Sequence, residues 1–176
     1  MKTWAVIASL LLSTHGSAAA GKQSYSTLEG RANMELKPIL AKLDAERYDI
    51  DTRLGLAESG QSRDCKNGWT ASLYVTREAD GRLRQLQLRR SRLGQVEAST
   101  VRGYYDTHGV LFYARIFTRS EKYSASEVWA YLANKTPFYI QSSGSESRVP
   151  RSILAGLNAP TVLIARGVPC GAGKLW

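Results

Sequence analysis

Arginine is concentrated in one central segment of the 176-residue chain, residues 82–119. The segment contains no lysine and two acidic residues, Glu97 and Asp106, so eight arginines minus two acids give a formal charge of +6. A guanidinium group binds carboxylate or phosphate through paired hydrogen bonds and stacks on aromatic rings. The segment therefore predicts a surface that recognises an acidic partner. Its arginines are Arg82, Arg84, Arg89, Arg90, Arg92, Arg102, Arg115 and Arg119.

Aromatic residues are interleaved with these arginines, and tyrosine and arginine are enriched among the residues that dominate protein–protein binding. Interleaved basic and aromatic residues also suit nucleic acid, but an exported protein meets little of it. The expected partner is therefore an acidic protein or an anionic envelope polymer. The alternative is a solvated outer face with charged edges that prevent aggregation. The candidate binding residues are Arg82, Arg84, Arg89, Arg90, Arg102, Tyr104, Tyr105, Tyr113 and Arg115.

Strand alternation divides the candidate arginines between two faces of the predicted sheet. Arg89 is expected on the face opposite Leu86 and Leu88. Arg84 and Arg90 share the parity of the leucines, so we expect them at the ends of the strand.

Histidine chemistry is almost absent from the chain, which contains two histidines, His15 and His108. His15 lies in a segment that we expect to be cleaved, and His108 lies in a predicted turn. A Ser-His-Asp triad, a Cys-His pair or a histidine-rich zinc site would each need that one imidazole. The sequence also lacks G-x-S-x-G, H-E-x-x-H and P-loop motifs. We therefore predict no catalytic residue, no cofactor and no metal site.

Three functional hypotheses remain. The leading one is an exported, non-catalytic binding protein, such as an enzyme inhibitor or an immunity-type protein, that recognises an acidic protein surface. The second is a small envelope hydrolase that uses paired carboxylates such as Glu35, Asp49 or Asp51 on an anionic polymer. The third is an envelope-associated structural protein without a tight partner.

The N-terminus is typical of a secretory signal peptide. Lys2 precedes an apolar stretch, residues 4–12, and small residues follow and end in Ala18-Ala19-Ala20. The sequence predicts cleavage before residue 21 and a periplasmic or secreted protein. Removal of Lys2 leaves 23 basic and 15 acidic residues, so the mature chain stays close to +8. Residues 21–176 are expected to form a single globular domain without a membrane span.

Composition and cysteine content constrain the class of protein further. The chain is 43% hydrophobic and 22% charged, which excludes a disordered chain, a coiled coil and a polytopic membrane protein. Cys65 and Cys170 are its two cysteines, and an oxidising compartment favours their pairing. We predict a disulfide that joins a mid-chain loop to the C-terminal tail.

The spacing of apolar residues predicts an α+β fold with an N-terminal helix. The helix is expected from Thr27 to about Tyr48, with Pro38 inside it, and a surface loop over residues 55–68. Alternation and the Asp80-Gly81 and Asp106–Gly109 turns predict four meander strands: residues 69–77, an arginine-rich run that contains Leu83, Leu86 and Leu88, residues 96–105 and residues 110–119. The sheet is expected to contain four to six strands.

The C-terminal third is predicted to contain short mixed elements. A serine-capped run over residues 124–132 predicts a short helix, and residues 138–141 a strand. Residues 149–157 predict a second short helix. The apolar run over residues 161–165 predicts a buried strand before the cysteine tail.

Overall fold

Three α-helices and one seven-stranded antiparallel sheet make up the part of the chain that the computed structural model describes, residues 25–54, 59–92, 98–119, 125–143, 149–168 and 170. The chain divides into two compact units, Met1–Asp44 and Ala45–Trp176. The predicted signal peptide lies outside the described residues. No helix of the described ranges is long and apolar enough to cross a bilayer.

The elements follow one another as a helix, seven strands and two short helices, with a 3-10 turn at Lys66–Gly68 between the first two strands. Each strand pairs with its neighbours in sequence, so the sheet is a meander with β1 and β7 as its edges. This confirms the predicted α+β fold, with one strand more than the expected range. The helices are α1 (Tyr25–Arg53), α2 (Arg151–Leu157) and α3 (Pro160–Arg166). The strands are β1 (Ser59–Asp64), β2 (Trp69–Arg77), β3 (Leu83–Arg92), β4 (Ala98–Tyr105), β5 (Leu111–Arg119), β6 (Ser126–Ala133) and β7 (Thr136–Ser143).

One face of the sheet, here the core face, carries alternate apolar residues such as Leu86, Leu88 and Val101. The same buried cluster contains Leu157 of α2 and apolar residues of α3. The approach of α2 is close, because a Cβ added at Gly103 would lie 2.9 Å from Leu157 Cδ2. A glycine in β4 therefore makes room for the helix.

The opposite face carries a row of four tyrosines directly across strands β4 to β7: Tyr104, Tyr113, Tyr131 and Tyr139. Their ring centroids are 5.4, 5.0 and 5.9 Å apart along the row, and the rings are tilted or edge-on to one another. Such cross-strand aromatic pairs stabilise a sheet beyond the area that they bury. We call this set the tyrosine row.

The disulfide joins Cys65, which follows β1, to Cys170, with a Cα–Cα distance of 5.4 Å. The bond spans 105 residues of the sequence and confirms the predicted pairing.

The loop prediction for residues 55–68 is wrong over Ser59–Asp64, which form the edge strand β1. All six of its residues are exposed, so the strand has no apolar period to reveal it. It is held by pairing with β2 and by the contact between the Ser62 and Ser72 hydroxyls at 2.6 Å.

The short helix expected over residues 124–132 is also wrong, because β6 occupies Ser126–Ala133. Its burial alternates, with Val128 and Ala130 on the core face. The strand then turns into β7 through Asn134 and Lys135, whose φ angles are +49° and +68°. Two consecutive positive φ angles are typical of the tight turn of a hairpin.

The strand expected over residues 161–165 is helix α3 instead. Pro160 occupies the first helical turn, where its fixed φ suits a helix, and Gly167 follows with a φ of +73°. The prediction of α2 and of a strand at residues 138–141 is confirmed. Helix α1 is longer than expected at both ends and continues through Pro38.

Candidate functional site

Arg84 is buried and holds the last turns of α1 to the sheet. Its Nε donates to the Tyr105 carbonyl oxygen at 3.0 Å, and its two terminal nitrogens contact Glu78 at 2.6 Å and Glu46 at 3.1 Å. The register places Thr76 opposite Gln85 and Arg77 opposite Leu83, so Arg84 has no partner residue in β2. Such a bulge re-aims a side chain. Arg84, the second residue of β3 and so near the strand end where it was expected, consequently contacts Glu46 of α1 and does not lie among the leucines of the core face.

Arg90 and Arg82 do not share one surface, because the first is buried and the second lies in an exposed turn. Arg90 is 5% exposed, and its guanidinium lies 4.5 Å from the centroid of the Trp69 ring. Arg82 is exposed in the β2–β3 turn, where it pairs with Asp80 and donates to the Thr107 carbonyl oxygen.

The three candidate tyrosines are interior residues. Tyr104, Tyr105 and Tyr113 are 0%, 1% and 5% exposed. The Tyr105 hydroxyl donates to the Leu157 carbonyl oxygen at 2.7 Å, and burial raises the pKa of that hydroxyl. Buried side chains cannot touch a partner directly. These three tyrosines therefore leave the set of candidate contact residues.

Asp51 of α1 connects the helix to the tyrosine row. Its carboxylate accepts hydrogen bonds from the Gln85 side-chain amide at 2.9 Å and from the Tyr104 hydroxyl at 3.0 Å. Burial raises the pKa of Tyr104, the Asp51 charge raises it further, and Arg102 acts in the opposite direction. Arg47, one turn earlier, pairs with Asp51 and lies over the Tyr113 ring. These contacts fix the C-terminal turns of α1 on the sheet.

The remaining arginines of the candidate set lie beside the tyrosine row, on the same side of the sheet. Arg102 of β4 stands directly opposite Arg115 of β5, and both are half-buried. With Thr100 and Phe117 they line a pocket of about 240 Å³. We call this the Arg102–Arg115 pocket. Like charges directly opposite each other destabilise a sheet unless neighbouring groups compensate for them.

The positive charges of the two arginines are compensated to different extents. Arg115 pairs through Nε with Glu127 of β6, whose side chain is 20% exposed. Arg102 donates through Nε to the neutral Gln87 Oε1 at 2.6 Å, and no carboxylate among the described residues lies within ion-pair distance of it. Arg89 of β3, directly opposite Thr100, is exposed on the same face. We call the surface formed by Arg89, Thr100, Arg102, Arg115, Phe117 and Glu127 the arginine face.

The arginine face contains residues that the sequence analysis did not select. Thr100, Phe117 and Glu127 follow one another across β4, β5 and β6 in a single row. These three residues become neighbours of the two arginines only through the register of β4, β5 and β6. Alternation gives parity alone, so it could place Arg102 and Arg115 on one face but not name their neighbours.

Two carboxylates of the hydrolase hypothesis, Asp49 and Asp51, are used in other contacts. Asp49 pairs with Arg53 on the exposed side of α1, whereas Asp51 faces the sheet. Residues two apart on a helix do not face each other, so these two carboxylates do not converge. Glu35 is exposed on the N-terminal part of α1. The side chain of His108 is 84% exposed in the β4–β5 turn, which matches its predicted position.

A larger cavity of about 470 Å³ lies beside α2 and α3. Its lining is mostly small and apolar, and Arg166 is the one charged residue among the described residues that line it. Within the described ranges no group of three His, Cys, Asp or Glu side chains is placed to hold a metal ion. Among the candidate binding residues, Arg89, Arg102 and Arg115 are the ones that share a partly exposed surface, the arginine face.

Comparisons with protein-family models, with curated proteins and with solved structures find no match for this chain.

Proposed function

We propose that this chain is an exported, non-catalytic binding protein, of the inhibitor or immunity type, whose arginine face recognises an acidic protein surface. The Arg102–Arg115 pair carries the proposal. Two guanidinium groups stand in register beside a pocket, and one carboxylate, Glu127, compensates for them among the described residues. An acidic partner would supply the missing negative charge and the planar acceptors that arginine favours.

The surroundings of the pair support a binding role. The Gln87 side chain holds Arg102, and Glu127 holds Arg115, so little side-chain freedom is left to lose when a partner arrives. Pre-ordered side chains lower the entropic cost of association. Phe117 supplies apolar area beside the two charges, as in the central residues of many protein interfaces.

The chain also has the marks of an exported protein. The signal peptide pattern at residues 1–20 and the disulfide between Cys65 and Cys170 together favour a periplasmic or secreted location. Inhibitors and immunity proteins need a rigid surface and no catalytic group. The contacts of Asp49 and Asp51 weigh against the hydrolase hypothesis.

The test is a binding titration of the disulfide-bonded chain from residue 21 with a fluorescein-labelled oligoglutamate peptide. The variant Arg102→Gln/Arg115→Gln removes two charges from the pocket. The matched control Arg63→Gln/Arg151→Gln removes two exposed charges from β1 and α2. We expect the pocket variant to lose at least about tenfold in affinity, which is about 1.4 kcal/mol, and the control to lose about twofold or less.

Equal losses in the two variants would mean that net charge alone binds the peptide, and this would overturn the proposal. Tighter binding of an anionic polysaccharide than of the peptide, with the same dependence on Arg102, would replace the acidic protein by an envelope polymer. Absence of binding to either polyanion would favour an envelope-associated structural protein.

A further inference from the structure

The residues that line the Arg102–Arg115 pocket, together with Glu127, which pairs with one of them, carry one net positive charge, and the exposed Arg89 lies outside this lining. Glu127 neutralises Arg115. Arg102, in contrast, donates a hydrogen bond to the side-chain oxygen of Gln87, which carries no charge. Two positive charges minus one negative charge leave +1. A ligand group that carries one negative charge would neutralise the pocket, and one that carries two would leave an excess negative charge in a half-buried place.

The donors of Arg102 suit a planar acceptor. A guanidinium has five N–H donors. Gln87 takes the donor on Nε. The donors that remain lie at the end of the guanidinium, the geometry that binds the two oxygens of a carboxylate in parallel. Thr100 adds a hydroxyl to the same lining.

The size and lining of the pocket limit the rest of the ligand. A volume of about 240 Å³ takes one amino-acid side chain. Phe117 forms an apolar wall that can contact methylene groups next to the carboxylate. An acidic side chain combines both features, because a short aliphatic stem carries its charged end.

We propose that the Arg102–Arg115 pocket receives a single carboxylate from an Asp or Glu side chain of the partner, with bidentate contact to Arg102 and its methylene groups against Phe117. This inference rests on the proposed function and names the group that the arginine face recognises. The pocket discriminates against phosphate through its charge, and Glu127 sets that charge.

The test is an NMR titration of the isotopically labelled chain with sodium propionate, with sodium glucuronate and with inorganic phosphate, at constant ionic strength and at pH 8, where phosphate is mainly a dianion. The Arg102 Nε–H and the Phe117 ring are the reporters. We expect propionate to shift both reporters and to bind more tightly than phosphate. The variant Glu127→Gln raises the pocket charge to +2, and the ratio of phosphate to propionate affinity should rise about three- to tenfold. Asp80→Asn, which removes an exposed carboxylate in the β2–β3 turn, is the matched control and should leave that ratio unchanged.

Tighter binding of phosphate than of propionate to the unmodified chain would overturn the inference. Tighter binding of glucuronate would replace the acidic side chain by a sugar acid and would overturn it as well. An unchanged ratio in Glu127→Gln would show that this residue does not set selectivity. These failures differ from failure of the proposed function, because the oligoglutamate peptide could still lose affinity in Arg102→Gln/Arg115→Gln.

Discussion

Arg84 offers a sharp test of the packing of α1 on the sheet, because its side chain is 4% exposed and makes three charge-assisted contacts. Arg84→Met keeps most of the aliphatic length and removes the charge. The Tyr105 carbonyl then loses a buried donor, which costs about 1–3 kcal/mol. Glu46 also loses a partner, but its side chain is 29% exposed, so solvent screening limits that loss to about 0.5–1 kcal/mol. Glu78 keeps its ion pair with Arg53.

The sum predicts a loss of about 1.5–4 kcal/mol in the free energy of unfolding, or about 3–16 °C in Tm for a domain of this size. Urea unfolding followed by tryptophan fluorescence measures it. The matched control is Arg89→Met, the same substitution on the same strand at an exposed position. We expect the control to change the free energy by about 0.5 kcal/mol or less.

A loss below about 1 kcal/mol in Arg84→Met, or a loss equal to that of Arg89→Met, would refute this reasoning. It would mean that the bulged position of Arg84 contributes little to the attachment of α1.

Three further outcomes follow from the contacts of the fold. Replacing both cysteines with alanine should lower the free energy of unfolding by about 4–5 kcal/mol, since the disulfide spans 105 residues; thermal unfolding of the two proteins would show it, and an unchanged Tm would contradict it. Burial raises the pKa of Tyr104 and Tyr105 above 10.0, so their stabilising effect is complete below pH 10 and is lost as pH rises through the raised values. Tyrosinate absorbance should show at least two tyrosines that titrate only with unfolding; titration of all nine near pH 10 would contradict this. Hydrogen bonds from Arg53 hold the pKa of Glu78 below 4.5, so its contribution is present above pH 4.5 and lost as pH falls through the lowered value. Glu78→Gln should therefore destabilise the protein at pH 7 more than at pH 3, and equal effects in urea unfolding at the two pH values would refute the ion pair's role.

The central meander was predictable because its local signals agree. Leu86 and Leu88 alternate with polar residues, and Gly81 and Gly109 occupy turns with φ angles of +83° and +75°. Edge strand β1 lacks such a signal because solvent surrounds both of its faces. The β6 run was ambiguous because Trp129 and Tyr131 add apolar residues to the polar side of the strand, which obscures its period of two.

The site was predictable only in part. A four-residue connection between β4 and β5 would place Arg102 opposite Tyr113. The register in fact moves by two residues, because Tyr105 stands opposite Leu111 instead of Val110 and Phe112 has no partner residue, so Arg102 stands opposite Arg115. Arg102 and Arg115 still lie on the same face of the sheet after this shift, but the residue directly opposite each of them is different. Burial of Tyr104 depends on Asp51, which is distant in sequence, so no local pattern could report it.

The most direct test of the proposed function is affinity capture from the native envelope or culture fluid with the disulfide-bonded chain from residue 21, washed at low and at high salt. Salt screens loose charge contacts far more than a packed interface. We expect one acidic protein to remain bound in equal molar amount at high salt, and to be absent when Arg102→Gln/Arg115→Gln is the bait. Capture of the same protein by both baits, or of nothing by the unmodified chain, would contradict a binding function for the arginine face.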